Sequence, residues 1–398
     1  MTIMKRRKFI KFGIFGSTGL LTYSSGSAKR KAPSDTLNIG VIGTGDRGQT
    51  LLSFINKTDG IDPVACCDIL PFRLEAGLTI ASKSGKVKGY EDYKKLLDNK
   101  DIDCVFISTP FSEHGHMAID ALDAGKHVYC EKTMVKGIEE TKKVVDKVSS
   151  TEKIFQTGHQ WHSSRLYTHV VEKIKGGDLG EIAAISCQWN RNGDWRREVP
   201  DPKWERLINW RMYKEYSGGL VAELCSHQMD ITNWMLGSPP IKIMGTGGID
   251  YWKDGRETYD NVHIIFEYPS GVKAKFTSLT TNALGDYQIK VSGKKGTITL
   301  DYREAWFYPE KKKDPEKGII DGVTGASVKW DETKGYPIEI DHIDPTLQAI
   351  IDFRDSVINN TKPISNELTG AQASIMVQMS LDAIENSSVL NWKDDYNL

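Results

Sequence analysis

The chain lacks what a disulfide framework or a structural zinc site requires. Its six cysteines include no CxxC pair and no metal-like spacing with histidine. Cys66, Cys67, Cys104, Cys130 and Cys187 lie in strand-like apolar runs and Cys225 in a helical one, so buried thiols and no bound metal are expected. A surplus of charge is missing too: 52 Lys and Arg balance 53 Asp and Glu, for a net charge of -1. That balance argues against nucleic acid as a partner, because phosphate binding needs concentrated positive charge. Beyond the N-terminus no run of 18 apolar residues exists, so no membrane span is expected. Internal repeats and low-complexity linkers are also absent. What remains is a globular composition, 39% apolar and 26% charged, over 398 residues, too long for one ordinary core.

The N-terminal stretch "KRRKFIKFGIFGSTGLLTYSSGSA" pairs Arg6 with Arg7, continues through a weakly apolar glycine-containing run, and ends in small residues at Ala28. It looks like a twin-arginine export signal, here assigned to residues 1–33, and implies a periplasmic destination. That route carries folded proteins, often with a cofactor already seated.

From residue 37, short apolar runs alternate with helical segments: "LNIGVI", "DRGQTLLSFINK", "DPVACCD", "LPFRLEAGLTIASK", "DCVFIST", "EHGHMAIDALDAG", "KHVYC", "IEETKKVVDKVSS" and "KIFQTG". Strict alternation predicts a doubly wound parallel sheet over residues 34–158, since parallel strands need crossover connections. After about residue 160, helices are followed by longer alternating strands, among them "NVHIIFEYPSGVKAKFTSLTT" with a hairpin turn at Pro-Ser-Gly. Residues 159–343 therefore read as an α+β domain with a large open, mostly antiparallel sheet. Two amphipathic helices over 344–398 are expected to pack back on the body. The fold class is α/β.

"VIGTGDRG" sets Gly43, Gly45 and Gly48 between a strand and a helix. The first glycine permits the turn, the second lets a pyrophosphate approach the backbone, and the third lets helix and strand pack. The pyrophosphate would lie at the helix N-terminus. Asp68 ends the next strand, 20 residues beyond Gly48, where a carboxylate accepts from ribose hydroxyls and repels a 2′-phosphate. The expected cofactor is NAD.

At "VIGTGDRG", "FISTPFSEHGHMAIDALDAGKHVYCEKT" and "GGLVAELCSHQMD" the sequence resembles the Gfo/Idh/MocA family of NAD(P)-dependent sugar enzymes, from about residue 36 to the C-terminus. Along these motifs the candidate cofactor contacts are Gly43, Gly45, Asp46, Arg47, Gly48, Asp68, Thr109, Pro110, His114, Glu131 and Lys132. The resemblance implies that Lys132 lies between nicotinamide and substrate. It maps the family's Asp and His, four residues apart on one helix, onto Glu223 and His227, with Asp230 following. Two departures stand out: Thr133 replaces the usual proline and Glu223 the usual aspartate. From the residues alone, Lys132 is either a loop lysine or a base of lowered pKa beside the cofactor, and His227 either a core histidine or a catalytic one.

On the substrate side, "WNRNGDWRREVPDPKWERLINWR" offers stacking aromatics and arginines, with Arg191, Trp195 and Arg211 as candidates. A packed loop with arginines paired to nearby acids is the equal alternative. His159, His162 and Asp230 are further substrate candidates, and Tyr167 a candidate proton donor or acceptor beside His227. The implied substrate is a carbohydrate or glycoside, neutral or anionic. Some exported members of the family act as NAD-dependent glycosidases, which oxidise a sugar hydroxyl at C3, eliminate the aglycone, add water and reduce the ketone again. Such an enzyme needs a tightly held NAD and no pair of glycosidase carboxylates. A sugar dehydrogenase and a non-catalytic sugar sensor are the alternatives. A dimer or tetramer through the open sheet face is also implied.

Overall fold

The alternation of apolar runs and helices from residue 37 produces a six-stranded parallel sheet. In a computed structural model, residues 36–83, 85–310 and 335–398 are described. The twin-arginine-like segment lies outside them. The strands β1 (Leu37–Ile42), β2 (Ile61–Cys67), β3 (Lys88–Tyr90), β4 (Cys104–Ile107), β5 (His127–Cys130) and β6 (Phe155–Thr157) stand in the order β3-β2-β1-β4-β5-β6. This is the order of a dinucleotide-binding fold, with its switch point between β1 and β4. Helices α1 (Asp46–Ile55), α2 (Pro71–Ala81), α3 (Tyr93–Leu97), α4 (His114–Asp123) and α5 (Ile138–Ser149) form the connections. The register of β1 on β2 slips between Ile39 and Gly40, opposite Pro63. β3 begins pairing only at Ala65, so the proline's missing N–H costs the sheet nothing.

The second sheet has nine strands. After α6 (Arg165–Lys175) come β7 (Ile182–Trp189), the short α7 (Glu205–Ile208), and α8 (Ser226–Leu236). β8 (Lys242–Gly248), β9 (Asn261–Glu267), β10 (Lys273–Leu279), β11 (Tyr287–Gly293), β12 (Gly296–Leu300) and β13 (Ala305–Pro309) follow, with β14 (Tyr336–Pro337) and β15 (Leu390–Asn391) at the two edges. All pairings are antiparallel except β7 with β10, the one parallel seam. One face buries Val262, Ile264, Phe266, Ala274, Phe276, Ile289 and Val291. These alternate with exposed residues, as a sheet packed on one side demands.

The C-terminal helices join the two sheets. α9 (Pro345–Asn359) starts at Asp344, whose carboxylate caps Thr346 and Leu347 N–H. It drives Phe353 edge-on against Phe106 and Tyr129 of the parallel sheet. α10 (Glu367–Glu385) lies between α5 and α8 and is buried along much of its length. The described residues from Thr36 onward consequently form one compact unit. All six cysteines are buried free thiols.

One histidine ties strand pairing to pH. His127 Nδ1 accepts from Ile154 N–H at 2.9 Å, which requires a neutral ring. Burial, then Lys153, pushes its pKa down to about 4 against the pull of Asp103. The unfolded chain takes up this proton near pH 6.5 and the folded one only near 4, so stability falls as pH drops through that window. The full loss is on the order of 2–3 kcal/mol. Thermal melts of the parent and His127→Gln between pH 7 and 4.5 check this: the variant's curve should be flatter by that share.

Candidate functional site: a cleft between the two sheets

A cleft of about 670 Å³ opens at the carboxyl ends of β1 and β4, as expected of a doubly wound sheet. Gly43 leaves β1 at φ 87°, and a Cβ there would lie 2.7 Å from the Ser108 carbonyl oxygen. A Cβ on Gly48 would collide with the Gly43 carbonyl, so α1 can close on β1 only without one. The α1 N-terminus has no side-chain cap. Its first N–H groups are thus available to a pyrophosphate. Asp68 is held by Thr44 N–H (2.8 Å) and Leu70 N–H (2.9 Å) at the cleft's edge. Beside it the exposed Ile69 offers an apolar surface to an adenine. These residues fit a dinucleotide.

Arg73, which sequence reasoning passed over, also lines this end, its guanidinium 3.4 Å from where a Gly45 Cβ would stand. Its position on the helix after Asp68 was the available signal. Arg47 faces the other way: its Nε donates to Glu131 at 2.6 Å and Nη1 to Thr346 Oγ1 at 3.2 Å. Arg47 and Glu131 both line the cleft, but they spend their charges on each other.

At the opposite end lies Lys132, 14% exposed at its side chain. Its Nζ donates to the Glu223 carbonyl at 3.0 Å and stands 3.8 Å from that residue's carboxylate. The carbonyl is available because Val221–Cys225 form a π-helical turn ahead of α8, a distortion that frees backbone acceptors. Thr133 uses the same turn, donating from Oγ1 to Ala222 O at 3.0 Å. A threonine where proline was expected is therefore anchored by its hydroxyl. His114 braces this loop from below, with Nδ1 2.9 Å from Thr133 O and Nε2 3.0 Å from Thr109 O. Burial pushes its pKa down, against those two carbonyls.

Charge at this end is tuned by burial. Burial drives the Lys132 amine below its ordinary value, with Arg211 and Arg47 adding to the effect and Glu223 and Glu131 opposing it. Burial alone would raise the Glu223 carboxyl, but Lys132 and Arg211 hold it below the usual carboxylate range. Arg211 Nε donates to Glu223 Oε2 at 2.8 Å. His227 lines the same cleft; burial, then Lys132, keeps its ring neutral.

The expected substrate residues divide. Arg211 lines the cleft, but His159, His162 and Asp230 lie buried behind its floor. Trp195 packs against the core of the second sheet, and Arg191 pairs with Asp286 (3.5 Å) away from the cleft. Tyr167 lies outside the cleft as well: stacked on Trp161, its hydroxyl donates to Asp301 O at 2.9 Å, and burial raises its pKa well above the phenol range. Arg196 pairs with Glu205 and Asp254, and Arg206 with Glu215 and Glu257. The arginine-rich segment is thus a packed loop with its charges neutralised. Arg197 reaches across to Asp46 Oδ2 at 3.1 Å and lays this loop along the cofactor end. Trp210, one of the aromatics of the Trp- and Arg-rich segment, also lines the cleft, as do Gln160, Tyr216 and Phe111, which were not anticipated. Among the described residues no cluster of His, Cys, Asp or Glu could hold a metal ion.

Comparison with known proteins agrees with this geometry. Residues 37–159 match the oxidoreductase family model with an NAD-binding Rossmann fold, and residues 167–299 match the GFO/IDH/MocA C-terminal domain. The 2,7-anhydro-N-acetylneuraminate hydratase of Escherichia coli K12 is 29% identical over 67% of this chain and 68% of its own. A glycosyl hydrolase family 109 protein of Shewanella pealeana is 28% identical, with 55% of each chain covered, so only about half of that relative is spanned. The solved structure of levoglucosan dehydrogenase in complex with NADH superposes at a TM-score of 0.71 with 18% identity, covering 89% of this chain and 99% of that one. Two matched domains in family order, around a cleft shaped for NAD(H), make this chain a member of the Gfo/Idh/MocA oxidoreductase family.

Proposed function

We propose that this protein is an exported, NAD-dependent glycoside hydrolase that oxidises a sugar hydroxyl transiently and reduces it again within one catalytic cycle. The observation that carries the reading is the presence of two basic side chains, Lys132 and His227, in one cleft beside the dinucleotide motif. Oxidation followed by elimination removes two protons, one from a hydroxyl and one from the adjacent carbon, and so needs two acceptors. NAD(H), when bound, accepts the hydride and returns it. Lys132, its pKa lowered by burial, takes the hydroxyl proton, while Glu223 and Arg211 fix its position. His227 takes the carbon-bound proton and passes one to the departing group. Trp210 and Tyr216 offer flat apolar faces to a sugar ring. With the neighbouring arginines paired, a neutral glycoside fits better than an anionic one.

The hydratase and hydrolase names among the relatives support non-redox chemistry on this framework. Tight retention of NAD follows from an export route in which no free pool replenishes it, and the Arg197–Asp46 bridge over the cofactor end supports it. The test uses purified mature protein without added cofactor, incubated with neutral and anionic aryl glycosides. Aglycone release over many enzyme equivalents is the expected result. At most one equivalent of oxidised sugar, with bound NADH accumulating, would instead make it a dehydrogenase, the activity named for the levoglucosan enzyme.

A further inference from the structure

Behind the cleft floor lies a group of buried polar side chains that the reaction as written does not use. His159 is fully buried, and neither of its ring nitrogens has a hydrogen-bond partner. His227 Nδ1 is likewise buried without a hydrogen-bond partner. The two imidazoles stand edge to face with centroids 5.6 Å apart, within reach of one bridging water. His162 Nε2 lies 2.8 Å from Asp230 Oδ2, near enough for ionic attraction though off the angle of a hydrogen bond, and both residues are buried. Buried ring nitrogens without a partner in the protein are exceptions that call for a water, a ligand or a function to account for them.

We propose that His159 is a proton-relay residue, connecting His227 at the cleft floor to the buried His162–Asp230 pair, where the proton is held until it is returned. This rests on the reading of the cleft as a sugar-oxidising site. A neutral imidazole relays by accepting at one nitrogen as it donates from the other, so charge need not rest on the ring. That suits His159, which burial holds at a pKa of about 4 with Asp230 and Glu131 opposing and His162 and Lys132 adding to the effect. Asp230, 2.8 Å from His162, supplies the counter-charge that an imidazolium needs. The balance is closed: one proton leaves the sugar carbon for His227, one moves from His227 through His159 to His162, and the reverse transfer delivers it to the returning carbon or leaving group. A reaction without net redox change gains from a store sealed from solvent, because the proton removed early is needed later.

The test follows release of p-nitrophenolate from a p-nitrophenyl glycoside in a single turnover of full-length NAD-loaded protein, because elimination, unlike the earlier formation of bound NADH, needs the proton that His227 removes. His159→Phe should slow this step by about 10²-fold and Asp230→Asn by about 10-fold, with NAD occupancy and melting temperature unchanged. In addition, nitrogen NMR of ¹⁵N-histidine-labelled protein without sugar reads the His227 Nδ1 signal. It should shift in both variants, although Asp230 is outside the cleft. Rates within twofold of the parent, an unmoved His227 signal in Asp230→Asn, or slowing matched by loss of NAD or of folded protein would each overturn the relay. Failure of the parent itself to form NADH would instead overturn the sugar-oxidising reading, and the NMR result would then decide the linkage alone.

Discussion

Lys132→Met should lower the rate of bound NADH formation by about 10²–10⁴-fold, the usual worth of a positioned general base. The length of the side chain is nearly kept, and NAD occupancy measured alongside separates loss of the base from loss of a cofactor contact. The removed contact is a donation to the Glu223 carbonyl at 3.0 Å, which leaves Glu223 still paired with Arg211. In the parent, the rate should rise with pH through the Lys132 pKa, because only the free amine accepts the hydroxyl proton. Burial places that rise below the ordinary lysine value of 10.5, so neutral amine is available at lower pH than an exposed lysine allows. Stopped-flow absorbance on the parent and variant over pH 6 to 10 measures both. A variant rate within tenfold of the parent would leave Lys132 a structural tether between the loop after β5 and the π-helical turn.

The parts of this site that could be read in the sequence are those built from local geometry. Gly43, Gly45 and Gly48 between an apolar run and an amphipathic one allowed few alternatives, and the structure gives each glycine the space its role needs. Lys132, Glu223 and His227 were placed by resemblance, and the cleft does bring all three together. Residues whose position depends on distant partners were less legible. The arginines of residues 191–211 find acids at Asp46, Asp254, Glu257 and Asp286, and no local pattern reports those pairings. Tyr167 occupies an apolar phase of α6 and was better read as core than as a catalytic group. The placement of β7 in the middle of the second sheet, parallel to β10, is likewise a long-range fact. β3, three residues long and mostly exposed, carried too little pattern to announce itself.

The glycine motif makes a prediction that separates cofactor binding from folding. Gly45 has φ −69°, an angle any L-residue adopts, and a Cβ there would meet only the flexible end of Arg73. Gly45→Ala should therefore leave the melting temperature of the cofactor-free protein unchanged or slightly raised, since it removes freedom from the unfolded chain. The added methyl would nevertheless occupy the surface that a pyrophosphate approaches, weakening NAD binding by about 10–100-fold. Gly48→Ala acts differently, because its Cβ collides with the Gly43 carbonyl inside the strand–helix contact. Backbone at that spot cannot swing aside as a side chain can, so the cost is about 1–3 kcal/mol of stability or more. Calorimetric titration of cofactor-stripped protein with NAD, paired with thermal melts, resolves the two effects. Unaltered NAD affinity in Gly45→Ala would mean that the pyrophosphate does not cross this turn, and that the α1 N-terminus serves only the packing that Gly48 makes possible.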